Sequence, residues 1–324
     1  MAGGQERVLR RRIRSIQSTQ KITRAQELIA ASRIVKATAA VEAAQPYSEA
    51  ITQVVRDLSA GGSGSDSPLL TPRPEIRRVA FIVIAADRGL SGAYNSSVIR
   101  EAERAVVGEM ARGREYSIIA VGRKAEGYFR YRDYKIDAVC TGFSDQPSYE
   151  DARRVGSAAT DAFLAGETDE VQIVYTEYRS AGVQVVVRHT LMPLVRDEIP
   201  SVDGGEATVA AAYEFEPSPE GILDLLLPRY VDSRVYAALL NAAASEHTAR
   251  QRAMKAATDN AADLITSLSR VMNRARQDTI TTEIMEIVSG SEALRQGASD
   301  GADYLADTIE GRDADLFAAR ATDA

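Results

Sequence analysis

One cysteine, Cys140, and two histidines, His189 and His247, are the only thiol and imidazole groups in a chain of 324 residues. A lone cysteine closes no intramolecular disulfide, which fits a reducing compartment. Two histidines and one thiol leave almost no room for a His/Cys metal centre. No stretch approaches the ~18 uncharged apolar residues of a membrane-spanning helix, and the opening MAGGQERVLRRRIRS lacks the apolar core of a signal peptide. Glycine and proline are both missing from Gln5 to Gln45 and again from Arg229 to Ser289. Without these breakers both segments read as long helices. At 1.5 Å per residue the second would run roughly 90 Å, about twice the width of a compact domain of this size, so it must project.

What is present is otherwise ordinary for a soluble protein of one or two domains: 45% apolar and 26% charged residues. The net charge of −7 hides an asymmetry. Residues 1–40 carry nine Lys or Arg against Glu6 and Glu27, a balance of +7. Residues 296–324 carry seven acids against Arg312 and Arg320, a balance of −5.

Between the helical ends the pattern changes. Residues 59–75, SAGGSGSDSPLLTPRPE, form a Gly/Ser linker stiffened by prolines. Beyond it β-branched runs at 77–85, 116–122, 134–139, 171–178, 183–190 and 207–215 read as strands. Amphipathic segments at 96–113, 124–131 and 149–166 read as helices between them. This alternation predicts a small α/β domain with a partly parallel sheet. Ser218 and Pro219 suit an N-cap and first helical position, and Pro228 suggests a restart before the last long helix.

The two end helices each carry a thin seam. In the second it runs Val231, Val235, Ala238, Ala242, Ala249, Ala253, Ala256, Leu264, Leu268, Val271 and Ala275. Alanine lets backbones approach but buries little area. In the first, Leu9, Ile13 and Ile16 begin a seam that QSTQK at 17–21 interrupts, before Ile22, Ala25 and Ile29 resume it. Helices that open and close the chain around a compact domain suggest an antiparallel pair rising from it, a stalk on a foot. The stretch NRARQDTITTEI, 273–284, is polar almost all the way round and holds three threonines, which are poor helix formers. A helix of that kind bridges between other bodies, which points to a partner.

No catalytic set stands out. IAADRGLSGAYN, 84–95, sets a glycine loop between a strand and a helix, where free N–H groups attract anions. Its spacing matches neither GxGxxG nor GxxxxGK[ST], so a tight turn with Asn95 or Ser96 capping the next helix accounts for it better than a phosphate cradle. The cluster RVLRRRIRS, in an acidic protein with no zipper behind it, suits a solvated face or an acidic protein partner better than nucleic acid. His247, on the Ala-rich helix, reads as a surface or seam residue rather than a base. The chain looks built for contact.

Three segments resemble the gamma subunit family of F-type ATP synthases: RRIRSIQSTQKITRAQELIAASRIVKA (11–37), IAADRGLSGAYN, and SEHTARQRAMKAATDNAADLITSLSRVMNRARQDTITTEIMEIVSGSEAL (245–294). The resemblance implies a long antiparallel coiled coil of the terminal helices (1–58 and 217–295) with a central Rossmann-like α/β foot domain (76–216). In that family the shaft turns inside a ring of three alpha and three beta subunits. The foot joins the epsilon subunit and the c-ring, and rotation couples proton flow to ATP synthesis or hydrolysis. The active sites belong to the neighbours, so no cofactor, metal or nucleic acid is expected here, and membrane contact runs only through other subunits.

Carried over by motif, Arg276, Gln277 and Thr281 match positions that hydrogen-bond a catch loop of beta. Arg10, Arg11, Arg14, Lys21 and Gln26 are candidates for facing the ring, Arg88 and Glu216 for foot contacts. Two departures matter. Gln26 stands where the family usually has the methionine of KITKAM, and Ser91 stands where many members have cysteine, so thiol regulation is not implied. The family ends near Ala293 and Leu294. The acidic tail 296–324 lies outside the resemblance; a mostly disordered extension and an electrostatic brake on rotation both fit its composition. A methionine only a few residues before the first family helix leaves no room for a transit peptide. The expected location is peripheral, on the cytoplasmic face of a bacterial inner membrane.

Overall fold

The run RVAFIVI has no polar residue after its first, as befits a strand covered on both faces. It forms β1 (Arg78–Ile84), buried throughout beyond Arg78. The computed structural model describes residues 2–60, 67–194 and 219–318. Its elements in order are α1 (Ala2–Ala60), β1, α2 (Tyr94–Ala111), β2 (Glu115–Val121), α3 (Arg123–Tyr131), β3 (Ile136–Cys140), α4 (Tyr149–Leu164), β4 (Glu170–Tyr178), β5 (Gln184–Met192) and α5 (Pro219–Ala318). Two compact units emerge: residues 22–258, and residues 1–21 with 259–324.

In the larger unit the strands lie in the order β3-β2-β1-β4-β5. The first four are mutually parallel, and β5 returns antiparallel to β4. Helices α2 and α3 cover one face, burying Phe81, Val98, Ile118 and Phe129. The other face packs against α4, the end of α1 and the start of α5 through Ile82, Val155, Phe163, Val55, Leu223 and Val235. Helix α4 opens with a reciprocal cap: Ser148 Oγ accepts from Asp151 N–H while the Asp151 carboxylate accepts from Ser148 N–H.

Pro228 does not restart the helix, as its position suggested; α5 runs through it without a break. Leu223, Leu227, Val231 and Val235 are buried on either side of it. That packing outweighs the loss of one N–H, although an interior proline is usually worth ~3 kcal/mol against a helix. The expected strand at 207–215 and the Ser218 cap lie outside the described residues, as does part of the linker. The backbone of α5 is helical as far as Ala318, where the composition beyond residue 295 had suggested a mostly disordered tail.

The seams also differ from their expected register. In the smaller unit the shielded positions on α1 are Leu9, Ile13, Ile16 and Gln20, and on α5 Ala261, Ile265, Leu268, Met272, Ala275 and Thr279. These follow a 3-4 heptad spacing. Leu264 and Val271, expected in the seam, are exposed. In the larger unit Thr23, Glu27 and Ala30 carry the stripe on α1, while Ile22 is 60% exposed and Ala25 and Ile29 face outward as well. Of the polar break at 17–21 only Gln20 is shielded, and the stripe beyond it is itself polar: Thr23 Oγ1 and Thr258 Oγ1 share a hydrogen bond of 2.8 Å. Hydrophobicity alone misplaced the stripe, because the apolar residues here lie on the outer face.

Candidate partner-binding surfaces

In the smaller unit Arg276, Gln277 and Thr281 are all exposed on α5. The threonines beside them solve their hydrogen-bonding locally. Thr279, Thr281 and Thr282 each donate to the carbonyl four residues back, at 2.8, 2.9 and 2.9 Å. Thr281 bonds the carbonyl of Gln277, so these two residues share one face, a turn apart. Among the described residues neither the Arg276 guanidinium nor the Gln277 amide has a partner. Five guanidinium N–H donors and a primary amide thus point outward unused.

On α1 of the same unit Arg10 is engaged by Glu6 at 2.5 Å. Arg11, Arg14 and Lys21 are exposed and, among the described residues, unpaired. Gln26 and Arg88 belong to the larger unit. Gln26 is half-buried. Arg88 is exposed and lies 3.8 Å from Asp145. Glu216 lies outside the described residues.

The glycine loop after β1 is filled by its own side chains. Asn95 does not cap α2; its Oδ1 accepts from Ala86 N–H at 2.9 Å and its Nδ2 donates to Ser91 Oγ at 3.1 Å. Ser96 Oγ turns back to the Ala93 carbonyl. The expected cap is absent, and Asn95 instead satisfies donors and acceptors of the loop itself. The Asp87 carboxylate accepts from Arg123 N–H at the start of α3, from Gly142 N–H and from Ser144 N–H. A protein carboxylate therefore occupies the N-terminal end of α3 and ties it to the loop after β3. Parallel sheets take ligands in the crevice where the strand order reverses, here between β1 and β4. At β4 the chain meets α5 instead: Asn241 Oδ1 accepts from Tyr178 N–H, and Ser245 Oγ donates to the Thr176 carbonyl.

Sequence reasoning missed a buried polar cluster beside this loop. Glu246 and Arg250 pair at 2.5 Å, Glu246 being 1% exposed. His247, 1% exposed, sets Nε2 3.0 Å from the Asp145 carbonyl. The Asp145 carboxylate takes Arg33 of α1 at 2.5 Å. Burial pushes Glu246 up against the pull of Arg250, and burial lowers His247. Asp145 would be raised by burial, but the Arg33 hydrogen bond and charge bring it below the usual carboxylate range. The i, i+4 acid and base in an Ala-rich helix were the available signal. Among the described residues no group of three or more His, Cys, Asp or Glu is placed to hold a metal, and no helix is long and apolar enough to cross a membrane.

A family model described as ATP synthase matches residues 5–294. The ATP synthase gamma chain of Frankia casuarinae is 53% identical over 298 residues, covering 91% of this chain and 99% of the relative. That of Mycolicibacterium smegmatis is 47% identical over 302 residues, covering 89% and 97%. Among solved structures, a chain of the Euglena gracilis mitochondrial ATP synthase OSCP/F1/c-ring assembly matches with a TM-score of 0.63 at 18% identity, covering 91% of this chain and 96% of that one. A chain of the Tetrahymena thermophila mitochondrial ATP synthase central stalk and c-ring matches at 0.57 and 22%, covering 73% and 99%. The remote structures agree in fold, and the near relatives agree in sequence over almost their whole length: the chain belongs to the ATP synthase gamma chain family.

Proposed function

We propose that this gamma chain is the central rotor of a proton-translocating F-type ATP synthase. It turns within three alpha and three beta subunits while its α/β domain joins epsilon and the c-ring. The observation that carries this reading is the exposed pair Arg276 and Gln277, without a partner among the described residues, beside threonines already satisfied by their own helix. Donors left open in this way suit a beta catch loop that takes them up and releases them. Arg10, Arg11, Arg14, Lys21 and Gln26 meet the ring through weak, screened attraction, since exposed ion pairs are worth only ~0–1 kcal/mol. Weak contacts permit turning. Arg88 and Glu216 belong to the foot contacts.

The chain performs no chemistry of its own; Asp87 in the glycine loop and α5 against β4 both support that reading. Its place is the cytoplasmic face of a bacterial inner membrane, held by its partners. The test is reconstitution of the purified chain with alpha and beta subunits. Entry into a three-plus-three assembly with rotation-linked ATP hydrolysis is the expected result. Failure to assemble, together with micromolar ATP binding by the chain alone, would favour a nucleotide-binding scaffold instead.

A further inference from the structure

Within the larger unit, α1, α4 and α5 line an open cavity of about 530 Å³. The rotor role does not use it. Its wall includes Tyr47 of α1, Tyr149 and Arg153 of α4, and Arg229, Asp232 and Tyr236 of α5. Asp232 is 9% exposed, and among the described residues its carboxyl has neither a hydrogen bond nor an ion pair. A buried carboxylate left alone is costly and is normally paired. Helix α4 fixes its position closely: a Cβ on Gly156 would stand 2.3 Å from Asp232 Oδ1. The rings of Tyr149 and Tyr236 meet edge to face beside it, their centroids 5.7 Å apart, and Tyr47 lies beside the Tyr149 hydroxyl.

A carboxylate among tyrosine rings is the chemistry that seats an organic cation. Two arginines complicate a simple cation site. Arg153 is engaged by Glu150 at 3.0 Å. Arg229 is exposed and close to Tyr149, and among the described residues it has no acidic partner. The cavity therefore carries one unpaired negative group inside and one unpaired positive group at its edge. A simple cation meets Arg229, a simple anion meets Asp232, and a molecule bearing both charges complements each. We propose that the cavity binds a small zwitterion, with its ammonium on Asp232 beside the Tyr149 and Tyr236 rings and its anionic end on Arg229. Free amino acids and the ethanolamine headgroup of a phospholipid share this chemistry.

The pH dependence follows from the groups that face Asp232. Burial pushes its carboxyl up to about 6, with Arg153 opposing and Glu150 adding to the rise. The phenols of Tyr47, Tyr149 and Tyr236 and the guanidinium of Arg229 also line the cavity, burial raising the Tyr149 phenol. The ionised carboxylate is the form that holds an ammonium, so binding is strong above about 6 and lost as the pH falls through that value.

The experiment is calorimetric titration of the full-length chain with β-alanine, phosphoethanolamine, propylammonium and propionate, and sedimentation with vesicles that contain or lack phosphatidylethanolamine. The zwitterions are expected to bind at least about tenfold more tightly than either singly charged probe at about pH 7.5, and to lose that margin at about pH 5. Asp232→Asn should abolish it, and Arg229→Gln should reduce zwitterion affinity to that of propylammonium, with circular dichroism of both variants unchanged. Binding of free zwitterions alone assigns a metabolite, and retention on the ethanolamine vesicles alone assigns a headgroup. No preference for zwitterions in the unaltered chain, or an Asp232→Asn variant that binds them as well, overturns the proposal. Because the chain is tested alone, neither result bears on its entry into the alpha–beta ring.

Discussion

Asp232 shows how one residue sets a pH response. Its folded-state value is raised from 3.8 to about 6 by burial. A raised value means that its contribution to stability is complete below about 3.8 and is lost as the pH rises through about 6. Asp232→Asn is therefore expected to stabilise the chain by about 1–2 kcal/mol at neutral pH, allowing for residual solvent, and to have almost no effect at about pH 4. Urea unfolding at the two pH values measures this. His247 acts with the opposite sign: lowered by burial, it supports the fold above its ordinary range near 6.5 and withdraws that support on acidification. Gly122 makes a steric case, with φ of 87° and a would-be Cβ 2.1 Å from the Ala85 carbonyl oxygen. Gly122→Ala should cost more than about 2 kcal/mol, read as a fall in melting temperature. None of these roles was legible in the sequence, because each depends on what a distant element brings within a few ångströms.

Elements were more legible than their pairing. The runs RVAFIVI, EYSIIAV and EVQIVYTEY became β1, β2 and β4 because β-branched density marks a strand whatever its neighbours. The order β3-β2-β1-β4-β5 had no local signal. The helix seam was misplaced for a physical reason: Ile22 and Leu264 look like core residues, yet the shielded positions are Thr23 and Ile265. Thr23 and Thr258 supply a direct test. Either threonine changed alone to valine removes the shared hydrogen bond, although Thr258 Oγ1 keeps its donation to the Met254 carbonyl, and should cost about 1 kcal/mol or less, with the double change costing less than the two single changes added. Denaturant melts of the three variants decide it. On the exposed face of α5, Arg276→Ala with Gln277→Ala should leave the isolated chain within about ±0.5 kcal/mol. ATP synthesis by the assembled complex in membrane vesicles should fall severalfold. An unchanged rate would remove these residues from the coupling contact.

At the scale of the whole molecule, charge is distributed by position rather than by sum. The +7 of residues 1–40 and the −5 of residues 296–324 are masked in a total of −7. If the tail restrains rotation, a chain ending at residue 295 should hydrolyse ATP faster than the full chain in the assembled complex at low ionic strength. The difference should vanish in high salt, where the screening length falls to about 3 Å. Equal rates at low salt would leave the tail without that role. The outward placement of Ile22, Leu28, Ile29 and Val35 in one unit, and of Ile280, Ile284, Ile287 and Val288 in the other, bears on the fate of the chain when it is made in excess. Surfaces of this kind are adhesive in water. A surplus copy is thus a substrate for chaperones and proteases, and cellular abundance is expected to be set by the supply of companions rather than by the chain's own rate of synthesis.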